Sequence, residues 1–394
     1  MSDTASLKAL ISETATYREI LQQPDVWREA AQTIRKSRAA LDAFLAPSLA
    51  RENLRIVLTG AGTSAFIGQI AAPSLGSRLS RRVEAVATTD LVSHPEAHLP
   101  QDVPTLLVSF ARSGDSPESK AATDLADQLL GEVRHLIITC NADGALNRAH
   151  EPREDSFVLL MPERSNDTGF AMTSSFTSML LAVLLALGGD DESAVDALAA
   201  AAEALLEQQD SIARLAATVP QRVVFLGGGP LTGLARESAL KMLELTAGQV
   251  VAYHDSSLGF RHGPKAVLDA HSLAVVYESA GSYSRAYDDD IVQELRASVG
   301  QDRVLTVSAG RADARVTAES HWTLPGLAEV NDDALHAVAF VVFAQFFALC
   351  CSAALQLTPD NPFPNGDVNR VVKGVIIHSL NNAASPVAAL DGRR

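Results

Sequence analysis

Short runs of consecutive apolar residues recur along this chain, separated by stretches with helical periodicity. Leu54–Gly62 reads LRIVLTGAG, Thr105–Phe110 TLLVSF, Arg134–Thr139 RHLIIT and Asp155–Pro162 DSFVLLMP. A second set follows at an offset near 167 residues: QRVVFLGGG from Gln221, LAVVYE from Leu273, DRVLTV from Asp302 and ESHWTLP from Glu319. Runs that are apolar throughout suit strands of a parallel sheet covered on both faces. Helical stretches such as Lys120–Leu130 and Asp289–Val299 supply the crossovers. The pattern predicts an α/β fold of two tandem doubly wound, flavodoxin-like parallel-sheet domains with four strands each. The expected boundaries are a helical lead-in over 1–45, a first domain over 46–195 and a second over 196–394. In the lead-in, Pro24 and Asp25 start a helix through Trp27, Ile34 and Leu41. Ala194–Ala217 reads as one Ala-rich helix. Leu335–Leu357 is apolar enough to suggest a membrane span. His336 and Gln345 inside it, and the helix-start signals Asp332 and Asp333 before it, predict instead a buried helix between domains or subunits.

In open parallel sheets ligands bind beyond the carboxyl ends of the strands. The loop after the first run, TGAGTSAFIG, offers small residues, a helix start and the hydroxyls of Thr63 and Ser64 beside Gly62. G-x-G-x-x-G is absent from both halves, and no Gly-Lys-Ser/Thr occurs, so neither dinucleotide nor nucleotide binding is expected. The next loop, SFARSGDSPES from Ser109, gathers Ser113, Ser116 and Arg112 before a helix starting near Pro117. That is the make-up of a phosphate cradle, and equally of a capping turn. Glu237–Pro264, ESALKMLELTAGQVVAYHDSSLGFRHGP, sets Lys241 and Glu244 on one helix face and His262 in a Gly-Pro turn. A carboxylate, a cation and an imidazole are what an aldose–ketose proton transfer needs. Glu237 and Lys241 also have the spacing of a routine surface ion pair.

The net charge of −15 argues against a nucleic-acid or anionic-membrane partner. It leaves room for a small phosphorylated ligand held by a few local donors. The three cysteines, Cys140, Cys350 and Cys351, show no metal or CxxC spacing. The N-terminal MSDTASLKALISETATYREI lacks the apolar core of a signal peptide. A cytoplasmic protein without metal or redox cofactor is the expectation.

TGAGTSAFIG, SFARSGDSPES and ESALKMLEL…FRHGP together resemble the sugar isomerase (SIS) family in its double-domain form. The resemblance is greatest to tagatose-6-phosphate ketose/aldose isomerase-like proteins, several of them known as galactosamine-6-phosphate deaminases. It extends to TYREILQQPDVW, NDTGFAMTSSFTSM from Asn166 and TPDNPFPNGDVNRVVKGVIIH from Thr358. Within the wider family's Ser-x-Ser-Gly-Glu/Asp-Ser/Thr phosphate motif, Ala111 replaces the first serine and Arg112 adds a charge. The resemblance implies that Gly62, Thr63, Ser64, Ser109, Arg112, Ser113 and Ser116 bind a phosphosugar. It implies that Glu244 shuttles a proton between C1 and C2, Lys241 stands beside the reacting carbons and His262 opens the ring. Arg370, with Asn369 and Lys373, is the matching C-terminal basic segment. Relatives take the histidine from a neighbouring subunit, so at least a homodimer is expected. With no cysteine nucleophile near the start for an amide-transfer domain, the expected reaction is the deaminating one. Galactosamine 6-phosphate would give tagatose 6-phosphate and ammonia, placing the enzyme among both isomerases and hydrolases. Plain ketose–aldose isomerisation is the alternative reaction. A non-catalytic phosphosugar sensor is the other alternative, disfavoured by Glu244, His262 and the lack of a helix-turn-helix pattern.

Overall fold

Both halves begin their sheets with the same strand–turn–helix unit, and a computed structural model describes them over residues 9–189, 191–311, 314, 320–372 and 374–380. Helices α1 (Ala15–Leu21) and α2 (Gln23–Leu49) lead into β1 (Arg55–Thr59), α3 (Thr63–Leu79), β2 (Arg82–Ala85), β3 (Thr105–Ala111), α4 (Pro117–Leu129), β4 (Val133–Thr139) and β5 (Ser156–Leu160). Helices α5 (Ser174–Gly188) and α6 (Glu192–Leu206) connect to the second half. There follow β6 (Arg222–Leu226), α7 (Pro230–Leu245), β7 (Val251–Asp255), β8 (Ser272–Tyr277), α8 (Ser282–Val299), β9 (Val304–Ala309), β10 (His321–Leu324) and α9 (Asp333–Ala354).

Among the described residues the strands form two five-stranded sheets, ordered β2-β1-β3-β4-β5 and β10-β9-β8-β6-β7. Every strand pair is parallel. The chain reverses its direction of winding between β1 and β3, and again between β6 and β8, which creates one switch-point crevice per sheet. Each sheet has one strand more than the apolar runs predict. The additions, β2 and β7, lie at sheet edges and are half-exposed, so their sequences RVEA and VAYHD carry no apolar run. The central strands β1, β3 and β8 are buried along their whole length.

The duplication extends to backbone angles. Gly62 stands before α3 at φ 57°, ψ −129°, and Gly229 before α7 at φ 54°, ψ −125°. This region is open almost only to glycine. Two positions earlier, a Cβ on Gly60 would lie 2.6 Å from Ser64, and one on Gly227 2.7 Å from Leu231. Each helix therefore starts hard against its own strand, with its first turn at the crevice.

The lead-in helix runs from Gln23 to Leu49 with Trp27, Ile34 and Leu41 fully buried. The expected single Ala-rich helix is two, α6 and Gln209–Ala216, broken after Leu206. α9 begins as its cap predicts, Asp332 accepting from Ala334 N–H at 2.8 Å. It is long and apolar enough to cross a membrane, yet 94% of its most apolar window is buried inside the protein. Phe340, Phe343, Phe346 and Phe347 are fully enclosed there, each burial contributing about 2–3 kcal/mol. Two of its polar side chains find partners: Gln23 donates to Gln345 Oε1 at 2.8 Å, and His336 meets Leu327 O at 3.0 Å. One apolar cluster, which takes in Ile34, Leu106, Val223 and Phe343, unites the two halves. α7 packs on both α3 and α9. Where it crosses α3, Gly233 has no room for a Cβ, which would meet Ile70 at 2.8 Å.

Candidate active site

That crossing brings α7, which carries Lys241 and Glu244, to the first half's switch point. Lys241 Nζ donates to Thr63 Oγ1 at 3.0 Å and to Glu244 Oε2 at 2.5 Å, and lies 3.3 Å from Glu237 Oε1. Lys241 and Glu237 are wholly buried, while the Glu244 side chain keeps 23% exposure. The surface ion pair that the spacing allowed is thus ruled out by position, because this face of α7 lies inside the protein. Neither Glu237 oxygen has a hydrogen-bond partner of good geometry. Burial pushes the Glu237 carboxyl up to about 8, against the attraction of Lys241. Burial opposes the charge on Lys241, but Glu237 and Glu244 outweigh it and raise its pKa. The cluster holds one cation between two carboxyl groups, of which Glu244 is the one that reaches solvent.

The loop after β3 forms the neighbouring cavity, of about 110 Å³. Ser64, Arg112, Ser113, Ser116 and Arg370 line it, with Met172 among the apolar wall. Ser116 caps α4, its Oγ accepting from Ser119 N–H at 3.3 Å and standing 2.7 Å from Ser119 Oγ. The capping turn is thus present, at the loop that also lines the cavity. Arg112 is buried and donates through Nη2 to Arg370 O at 3.1 Å, leaving Nη1 without a partner. Burial, and then the Arg370 charge, lower its pKa. Ser109 is likewise buried with an unpartnered Oγ. Two guanidinium groups, unspent donors and a capped helix start suit an anion despite the acidic whole.

Arg370 arrives from the C-terminal segment and donates to the backbone oxygen of Asp167. Asn369 instead is exposed and donates to Gly366 O at 3.1 Å; Lys373 lies outside the described residues. The Asp167 carboxylate, fully buried, collects Thr173 N at 2.8 Å, Ser174 N at 3.0 Å and Ser175 N at 2.9 Å, capping α5. Burial raises its pKa. Gly62 shapes the turn without lining the cavity. His262 is exposed, in the short 3-10 turn Gly259–His262 after β7. Among the described residues no hydrogen bond or ion pair joins it to Glu244 or Lys241.

Sequence reasoning passed over Glu237 as a member of the cluster, over Asp167 beside Arg370, and over Met172, Val371 and Val372, which line the cavity. Glu237 carried a signal in its place one turn before Lys241 on the face shared with Glu244. The others lie in the segments from Asn166 and Thr358 that carry the family resemblance, but nothing local gave those residues a role.

The equivalent crevice of the second half is already filled. Asp288, from α8, accepts from Ser257 Oγ at 2.5 Å, Ser279 N at 3.0 Å and Ser279 Oγ at 2.8 Å. A larger cavity, about 410 Å³, is lined by Gln221, His271, Leu273 and Arg303. It sits at the amino ends of β6, β8 and β9, the wrong end of a parallel sheet for catalysis.

Residues 48–188 match the SIS domain. A Streptomyces coelicolor protein, named provisionally as D-galactosamine-6-phosphate deaminase AgaS, is 59% identical over 375 residues, covering 94% of this chain and 97% of its own. The Escherichia coli D-galactosamine-6-phosphate deaminase AgaS is 44% identical over 384 residues, covering 96% and 99%. The crystal structure of tagatose-6-phosphate ketose/aldose isomerase from Escherichia coli superposes with a TM-score of 0.83 at 42% identity, covering 94% and 98%. Fold and relatives define an enzyme of sugar-phosphate metabolism. The chain belongs to the SIS-domain family, in the group whose members carry the name galactosamine-6-phosphate deaminase AgaS. The expected place among hydrolases is corrected by the same relatives, which are named deaminases and ketose/aldose isomerases. The chemistry in those names is a change at the sugar's own carbons, as the paired carboxyl groups around Lys241 suggest, rather than hydrolytic cleavage of a substrate's ester or glycosidic bond.

Proposed function

We propose that the enzyme converts galactosamine 6-phosphate to tagatose 6-phosphate and ammonia as a deaminating isomerase. The observation that carries this reading is the Thr63–Lys241–Glu244 cluster standing beside an anion cradle. Ser113, Ser116, Arg112 and Arg370 take the phosphate, and the open-chain sugar runs from there toward Glu244. Glu244 removes the proton from C2, giving an enolamine between C1 and C2, and returns it to C1. Lys241 stabilises the charge that develops on O1. The product of this shift is a C2 imine, to which water adds and from which ammonia leaves, so the conversion is redox-neutral overall. The C2 epimeric centre is lost in the enolamine.

Ring opening is assigned to His262. Its exposure in a single chain is in keeping with a homo-oligomer in which the imidazole serves a neighbouring subunit's site. The three buried cysteines, none of them in a disulfide, are in keeping with a cytoplasmic enzyme.

The test is a substrate panel on the purified protein. Galactosamine 6-phosphate is expected to yield ammonia and tagatose 6-phosphate in equal amounts, faster than glucosamine 6-phosphate yields ammonia. No ammonia from either amino sugar overturns the reading. Interconversion of tagatose 6-phosphate with its aldose, without ammonia from the amino sugar, selects the plain isomerase that the Escherichia coli structure's name favours.

A further inference from the structure

The N-terminal helix α1 touches the phosphate end of the site only through other residues, yet it closes a ring of hydrogen bonds around it. Glu19, on α1, is buried and receives Thr168 N–H, Thr168 Oγ1–H at 2.8 Å and Gly169 N–H at 3.1 Å. The residue before these, Asp167, offers its backbone oxygen to the Arg370 guanidinium. Arg370 in turn offers its own backbone oxygen to Arg112 at 3.1 Å. The C-terminal segment that carries Arg370 is moored to the same helix. Asp360 accepts from Ala15 N at 2.7 Å, Thr16 N at 2.9 Å and Thr16 Oγ1 at 2.7 Å. Between the two moorings, Phe170 and Phe363 pack with ring centroids 5.4 Å apart.

We propose that Glu19 is a positioning residue for substrate binding, fixing the Asp167–Gly169 loop so that its carbonyl aims Arg370, and through it Arg112, at the phosphate. The proposal rests on the reading that these two arginines hold the phosphate. The fit around Glu19 leaves no slack. A Cβ on Gly169 would stand 2.6 Å from Thr16 Oγ1 and 2.8 Å from Glu19 Oε2. Helix α1 is thus the common support of two chain segments roughly 200 residues apart in sequence, held by Glu19 on one side and by Asp360 on the other, that meet at one anion site. A carboxylate is suited to it because one oxygen can take several N–H and O–H donors at once, which a neutral acceptor does more weakly.

The experiment compares Glu19→Ala, Glu19→Gln and Asp360→Asn with the parent enzyme. KM for galactosamine 6-phosphate, kcat and the inhibition constant of inorganic phosphate are measured, with folding checked by thermal unfolding. Glu19→Ala is expected to raise KM and the phosphate inhibition constant together by about 10- to 100-fold, the range of lost hydrogen bonds to a charged group, while kcat changes much less. Glu19→Gln recovers part of the loss, because the amide oxygen still accepts from Thr168. Asp360→Asn shifts both constants the same way, less strongly, and keeps the proposal testable if Glu19→Ala does not fold. Unchanged constants in folded Glu19 and Asp360 variants, or a fall in kcat alone, overturn the proposal. Arg112→Ala separates the two levels. If it too leaves phosphate inhibition unchanged, the phosphate reading has failed; if it weakens inhibition while the Glu19 and Asp360 variants do not, only the positioning role has.

Discussion

Lys241 Nζ donates to Thr63 Oγ1 across 3.0 Å, and that bond ties helix α7 of the second half to the start of α3 in the first. Since Lys241 is the one cation between the buried Glu237 and the partly exposed Glu244, Lys241→Met leaves the cluster without its positive charge. Removing one partner of a buried ion pair costs about 3–5 kcal/mol, and urea unfolding is expected to show a loss of that order. Adding Glu237→Leu to Lys241→Met is expected to recover much of the stability without recovering turnover. Thr63→Val keeps the shape and the ion pairs, so it is expected to cost about 1 kcal/mol and to slow ammonia release through a misplaced Lys241.

The duplicated glycines separate stability from binding. Gly62→Ala and Gly229→Ala impose the same backbone strain, about 1–3 kcal/mol each, because their φ and ψ agree within a few degrees. Both variants are expected to lower the unfolding midpoint by similar amounts. Only Gly62→Ala is expected to raise KM, since the second crevice is occupied by Asp288. Equal KM effects would contradict a single ligand site in the first half. Titration calorimetry with the substrate product, tagatose 6-phosphate, is accordingly expected to give one site per chain.

Acid sensitivity has a local source in the first half. Burial pulls the His150 pKa from 6.5 down to about 4, and the neighbouring His135, 4.8 Å away ring to ring, adds to the fall. The unfolded chain then takes up the proton first as pH drops. The stabilising contribution is full above about 6.5 and is lost as pH falls from there toward 4. Burial also lowers the His135 pKa, so it acts in the same sense. Urea midpoints measured between pH 7 and pH 4.5 are expected to fall, and His150→Gln to make that slope shallower. A slope unchanged by the substitution would move the acid sensitivity elsewhere.

How much of this was legible in the sequence depends on which contacts are local. Strands such as Thr105–Ala111, buried on both faces, announce themselves as apolar runs; Arg82–Ala85 and Val251–Asp255, half-exposed at sheet edges, do not. The Ser116 cap and the Asp332 cap follow from side chains within three residues, so they could be placed directly. Lys241 and Glu244 could be put on one helix face, but not inside the protein. That required the crossing of α7 and α3, where Gly233 meets Ile70. The burial of Glu237 has the same origin, since i and i+4 spacing reads alike on a surface and in a core. Arg370 reaches Arg112 and Asp167 through contacts spanning more than half the chain, and no local pattern encodes them. His262 was marked by its turn, yet in one chain it stands exposed and apart from the cluster.

The most direct measurement of the central claim is ammonia release by Glu244→Gln, which keeps the shape and removes the carboxylate proposed to carry the proton. General acid–base catalysis contributes about 10²- to 10⁴-fold, so ammonia release from galactosamine 6-phosphate is expected to fall at least that far. Binding of tagatose 6-phosphate, held at the Arg112 end of the site, is expected to stay detectable. Undiminished ammonia release by the folded Glu244→Gln protein would contradict the account.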